Sequence, residues 1–163
     1  GFPHHALDTY LPKLVRAGYK VAVCDQLEDP KMTKKIVKRG ITEVVTPGLS
    51  YNPQLLEASQ HNFLASLFCC HNGQAELVGM AFTDISTGTV QIAQGDTSYA
   101  ESLLSQYAPR EILVQRDREK KWKARLGNSF YFSTIDDWAF VHAAAVEKVK
   151  THFGVDSLKG FGA

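Results

Sequence analysis

Residues 63–93 read FLASLFCCHNGQAELVGMAFTDISTGTVQIA, and this stretch decides the fold. Phe63 to Cys70, Val78 to Ile85 and Thr89 to Ala93 are apolar runs rich in strand formers, the last two joined by Ser86-Thr87-Gly88. Connections this short join antiparallel neighbours, so the spacing predicts a three-stranded meander. Downstream, Thr97 to Ala108 predicts a helix ended by Pro109, with Leu103, Leu104 and Tyr107 on one side. Glu111 to Gln115 (EILVQ) is a fourth strand, Asp117 to Leu126 a charge-rich helix or turn, and Phe130 to Ile135 (FYFSTI) a fifth strand. A helix over Trp138 to Phe153 closes the run, with Val141, Ala145, Val149 and His152 on one face and Gly154 as its cap. The order βββαβ(α)βα predicts an α/β fold, a mixed sheet with helices against it. Trp138, Phe140 and Phe153 are its expected core anchors, together with a buried Trp122 on an otherwise polar helix.

Upstream, residues 5–17 place Leu7, Tyr10, Leu11, Leu14 and Val15 at helical spacing, with Gly18 as the terminal cap. Pro12 lies inside this helix and removes a backbone donor, so a bend or restart is expected between Asp8 and Pro12. KVAVCDQ (20–26) and ITEVVT (41–46) read as two further strands. Residues 46–53 (TPGLSYNP) hold two prolines, a glycine and an asparagine, which marks a linker. The expected division is a first unit over 1–48, a linker over 49–58 and a second unit over 59–163.

A hydrophobic content of 44% in 163 residues suffices for a packed core, one ordinary domain or a small domain plus part of another. With 18 basic and 17 acidic side chains there is no strong global field toward nucleic acid or membrane. The charge is uneven, however: residues 1–50 carry a net +3 and the remainder −2, so electrostatic affinity for DNA belongs to the first unit. No apolar run is long enough to span a membrane, and no signal-like start is present. Cys24, Cys69 and Cys70 lack metal-type spacing. Neighbours on a strand point to opposite faces, so these thiols read as buried and free in a reducing cytoplasm.

Four patterns invite a chemical reading. Lys31, Lys34, Lys35, Lys38 and Arg39 cluster within nine positions and could neutralise backbone phosphates without base specificity; the plainer reading is a solvated surface. His4 and His5 lie near Asp8, but adjacent helical residues diverge by about 100° and two ligands are too few for zinc, so capping or exposure is expected. Asp84, Glu101, Asp136 and Asp137 are the carboxylates a two-metal nuclease would need, although Asp84 precedes Ile85-Ser86-Thr87-Gly88, where a carboxylate commonly caps the turn. Trp122 among Lys120, Lys121, Lys123 and Arg125 imitates a stacking platform for single strands.

The opening GFPHHALDTYLPKLVRAGYKVAVCDQLEDP, with its GxPxHA start and CxQxxDP segment, followed by the VVTPG exit at 44–48, resembles the interior of bacterial MutS. The resemblance implies a piece of a longer protein: the C-terminal part of the α+β mismatch-recognition domain, then most of a connector domain of ribonuclease H-like fold. It implies a non-catalytic piece. The family's wedging Phe-x-Glu does not occur, since no phenylalanine is followed two positions later by glutamate. Residues 154–160 (GVDSLKG) lack the Gly-Lys-Ser/Thr end of a phosphate-binding loop. ATP and magnesium would accordingly belong to the parent outside this chain, with no cofactor here. The resemblance further implies mismatched double-stranded DNA, MutL and a second MutS subunit as partners of the intact protein. Lys34, Lys35, Lys38 and Arg39 would lie along the DNA backbone, and Glu147, Lys148 and Thr151 on the last helix would meet MutL. The family's connector carries the same DIS-x-G run without nuclease activity, which weighs against the nuclease alternative. A further helix usually follows the LxGFG segment matched at 158–162, so a chain ending at Ala163 is expected to leave an apolar strip of sheet uncovered.

Overall fold

A computed structural model describes residues 1–29, 32, 36–49, 62–73 and 75–161. Lys31, Lys34, Lys35 and most of the expected linker lie outside them.

Helix α1 (Leu7–Arg16) follows a single 3-10 turn, His4–Ala6. The helix is continuous through Pro12, and the restart falls earlier, where the 3-10 turn meets Leu7. The amide missing at Pro12 would have bonded the carbonyl of Asp8, an exposed residue on the first turn where water can serve instead. At the other end Gly18 adopts φ +84. Its amide donates to Val15 and that of Tyr19 to Leu14, the paired bonds that close a helix through a left-handed glycine. Strands β1 (Val21–Gln26) and β2 (Arg39–Val45) pair antiparallel, with an irregularity at Val23/Cys24. Leu11, Val15 and Val45 form the small core of this first unit.

The second unit is a five-stranded sheet in the order β5-β4-β3-β6-β7. Strands β3 (Phe63–Asn72), β4 (Ala75–Asp84) and β5 (Thr89–Gly95) make the expected antiparallel meander. Strands β6 (Glu111–Gln115) and β7 (Tyr131–Ile135) then add in parallel, β6 beside β3 from Leu64 to Ser66. Helix α2 (Thr97–Tyr107) starts at Asp96, whose carboxylate accepts the Tyr99 amide at 2.8 Å. It stops where Ala108 takes φ +43, a left-handed conformation that a side chain tolerates poorly.

Alternation along the strands sorts the sheet into two unequal faces. One carries Ala65, Leu67, Val78, Met80, Phe82, Ile112, Val114 and Phe132, and is covered by Ala100 and Leu104 of α2 and Trp122 of α3 (Glu119–Leu126). Tyr107 stacks on Phe82 at 4.4 Å and meets Phe63 edge-on at 5.0 Å. The opposite face is covered unevenly: Val90 and Ile92 of β5 lie exposed and Phe68 of β3 stacks on Phe140, whereas Glu111 of β6 and Ser133 of β7 are buried.

The C-terminal segment corrects the sequence reading. A 3-10 turn (Asp137–Phe140) and an extended Val141 precede α4, which spans only His142–Phe153. No residue of α4 is buried, and Trp138 is 64% exposed. Trp138 and Phe153 are therefore surface residues, and of the three proposed anchors only Phe140 finds an aromatic partner in the sheet.

The disparity between the cores sets local stability. Amides of β1 and β2 should exchange with solvent faster than those of β3 and β4; equal protection by NMR-detected exchange would contradict this. Phe82→Ala should lower unfolding stability by about 3–5 kcal/mol in denaturant titrations. Ile92→Ala, on the open face, should change it by less than about 0.5 kcal/mol.

Candidate functional site

Each pattern singled out in the sequence has a definite setting. Of the basic cluster, Lys38 and Arg39 are described. Both are exposed at the entry to β2, where Arg39 pairs with Gln26 and the Lys38 carbonyl accepts the Leu27 amide at 2.9 Å. The hairpin thus holds their backbone while the side chains reach solvent.

Trp122 is 3% exposed and packed in the core, so it offers no face for a base to stack on. Most cations around it are already paired: Lys121 with Glu76, Lys123 with Glu119 at 2.7 Å and Arg125 with Glu101. The aromatic-in-basic pattern is thus a core anchor on a charge-balanced helix.

Three of the four carboxylates of the nuclease reading are engaged separately. Asp84 is fully buried, and its Oδ1 accepts the Ser86 amide at 2.9 Å and the Ser86 hydroxyl at 2.6 Å. With the Gly88 amide on the Asp84 carbonyl, this fixes the β4–β5 turn. Glu101 binds Arg125 and Asp136 binds Arg116 at 2.7 Å, while Asp137 opens the 3-10 turn. Among the described residues no three His, Cys, Asp or Glu side chains converge as metal ligands, and the nuclease reading has no support in the geometry. His4 and His5 are exposed. His4 lies 3.9 Å from Asp25 rather than beside Asp8, and neither histidine caps α1.

The thiols divide by environment. Cys69 is buried, whereas Cys70 is half-buried and Cys24 is exposed, which corrects the expectation of three buried thiols. Burial, followed by the negative charge of Glu76, pushes the Cys69 thiol above its ordinary value of 9.0. Glu76 shifts the other way: the hydrogen bond from Lys121 holds its carboxyl below the usual range, against a smaller opposing effect of burial.

On α4, Glu147, Lys148 and Thr151 are exposed. The Thr151 hydroxyl donates to the Glu147 carbonyl at 2.8 Å, and Lys150 lies 3.7 Å from the Glu147 carboxylate. These bonds are local to the helix and leave its outer side open.

Sequence reasoning overlooked one residue. Glu111 opens β6 and is 1% exposed, and its Oε2 accepts the Gly48 amide at 3.0 Å across the gap between the two units. Beside this contact a cleft of about 620 Å3 is lined by Arg16, Gly18 and Pro47 on one side and Asn62, Arg110 and Tyr131 on the other. A glutamate at a strand entry reads as solvated, and only its partner sixty-three positions away reveals otherwise.

The fold defines a two-unit α/β protein in which no metal-binding cluster forms among the described residues. Comparison with known proteins gives the family. The model of MutS domain I matches residues 1–53 and that of MutS domain II residues 62–163, and the chain belongs to the MutS family. It is 51% identical over 162 residues to the DNA mismatch repair protein MutS of Parabacteroides distasonis, 52% to that of Bacteroides thetaiotaomicron and 47% to that of Flavobacterium psychrophilum. Each alignment covers 99% of this chain and 18% of the relative, so the chain spans under a fifth of their length. No described helix is long and apolar enough to cross a membrane.

The thiol settings are testable. A thiol-specific reagent at pH 8 should label Cys24 rapidly and Cys69 only on unfolding; equal rates would refute the burial argument. Because the folded Cys69 holds its proton to higher pH than the unfolded chain does, its contribution is complete below the ordinary thiol range. It is lost as pH rises from that range through the raised folded value. Denaturation at pH 8 and pH 10 should therefore show a smaller alkaline loss for Cys69→Ala than for the unaltered protein.

Proposed function

We propose that this chain is the part of a MutS protein that joins the grip on mismatched double-stranded DNA to the signalling machinery, and that it is itself non-catalytic. The first unit, taken as residues 1–48, contacts the DNA backbone through Lys34, Lys35, Lys38 and Arg39. After a linker over 49–58, the second unit over 59–163 is a connector of ribonuclease H-like fold. That connector relays the nucleotide state of a distant ATPase and docks MutL through Glu147, Lys148 and Thr151. ATP and magnesium are handled elsewhere in the parent, a cytoplasmic homodimer.

The match to MutS along 99% of the chain carries this reading. The sheet order supports the fold label, since three antiparallel strands followed by two parallel ones is the arrangement that label denotes. The exposure of Lys38 and Arg39 and the local excess of positive charge support DNA contact by the first unit. The exposed outer side of α4, which has no fully buried residue, supports docking. Twelve residues of helix are marginal alone in water, and one carrying an exposed Val149 gains from a partner.

Two measurements test the assignments. Replacing both Glu147 and Lys148 by alanine should weaken binding of purified MutL while leaving the circular dichroism spectrum and melting temperature unchanged; unaltered affinity overturns the docking site. In the full-length protein, Lys38→Ala with Arg39→Ala should reduce the slope of log affinity against log salt for mismatched duplex by about 2, close to one per lost phosphate contact. An unchanged slope removes these residues from the DNA interface.

A further inference from the structure

The two units touch in a restricted way. The elements of the first unit pack chiefly on one another, and those of the second do likewise. Between them lies the cleft, and its position in the sheet is informative. Asn62, Arg110 and Tyr131 stand where β3, β6 and β7 begin, whereas ligands of parallel sheets gather at the carboxyl ends of strands. The cleft therefore has the character of a seam between units.

One point in that seam is closed tightly. Glu111 and Leu64 are register partners on β6 and β3, and the backbone of Gly48 lies against both. A β-carbon at position 48 would stand 2.8 Å from Leu64 Cδ1, 2.9 Å from Glu111 Cβ and 3.0 Å from Glu111 Oε2, closer than packed atoms come. Glycine is required there for space. The same approach delivers the Gly48 amide to the Glu111 carboxylate at 3.0 Å, out of contact with water. A buried carboxylate left without a donor is strongly unfavourable, so this acceptor draws the chain to one position. The preceding turn is set by the Leu49 amide on the Thr46 carbonyl at 3.2 Å, which aims Gly48 into the gap.

We propose that Gly48 and Glu111 form a latch that fixes the first unit at one place on the five-stranded sheet, so that movement of the first unit is carried into β6. Glu111 is a positioning residue in this role. The inference rests on the contact itself and holds whether or not the DNA and MutL assignments do.

The test is 15N relaxation and amide exchange on the chain of 163 residues. In the unaltered protein the Gly48 amide should exchange at least about 100-fold more slowly than an open amide. Residues of α1 and of β3–β7 should report one rotational correlation time. Gly48→Ala and Glu111→Leu should each abolish the protection at position 48 and give the two units separate correlation times, with the amides of β3–β5 still protected. Glu111→Gln, which keeps an acceptor oxygen, should preserve joint tumbling. Rapid exchange of the Gly48 amide in the unaltered protein overturns the proposal, as does joint tumbling in both disruptive variants. Should a variant fail to fold, exchange in the unaltered chain decides.

Discussion

Strand β3 is the constraint on which the rest of the second unit depends. It pairs with β4 along its whole length in the antiparallel sense and with β6 at Leu64 to Ser66 in the parallel sense. An antiparallel neighbour needs only a short turn, but a parallel one needs a crossover, and α2 supplies it. Once the chain must cross, Ala100 and Leu104 are carried over Met80 and Phe82, and one face of the sheet becomes the core. A polar substitution at Leu67, in the middle of β3, would strike both the ladder and this core.

The unequal faces follow from the same geometry. α2 and α3 lie on the core side, while the segment after β7 turns away through a 3-10 turn and an extended Val141. Phe140 returns to the sheet and stacks on Phe68. Exposed Val90 and Ile92 on one side and an unburied α4 on the other are two consequences of one departure of the chain. Apolar area left in water forgoes roughly 25 cal/mol per Å2. The second unit accordingly draws most of its apolar core from one face and leaves the β5 side of the other exposed.

Where local signals determined structure, they were legible in the sequence. Glu111 to Gln115 is a strand because its apolar run is bounded by Pro109 and a charged segment, and the meander is set by short polar turns. Helix ends were legible at Gly18, whose left-handed conformation has a chemical signature. The family was legible as well, because GxPxHA, CxQxxDP and VVTPG occur together in order. What could not be read depends on distant partners. Ala145 and Val149 give α4 an apolar face whether or not anything lies opposite it, so periodicity could not separate a core helix from an exposed one. Cys24 is apolar enough to read as a buried strand residue, but among the described residues its hairpin has two strands and leaves it exposed.

Glu111 shows how far this limit reaches into function. Its neighbours in sequence are Arg110 and Ile112, and nothing in them distinguishes a solvated strand entry from a carboxylate sealed beneath another segment. Burying a charge is costly unless donors compensate, so such a residue persists where its geometry accomplishes something apolar packing cannot. A leucine at this position would pack against Leu64 equally well in many placements of the first unit. A carboxylate that needs the Gly48 amide accepts one. Directional bonding is what separates a fixed junction from a greasy one, and the buried contact of the Glu111 carboxylate with Gly48 stands where the relative placement of the units is decided.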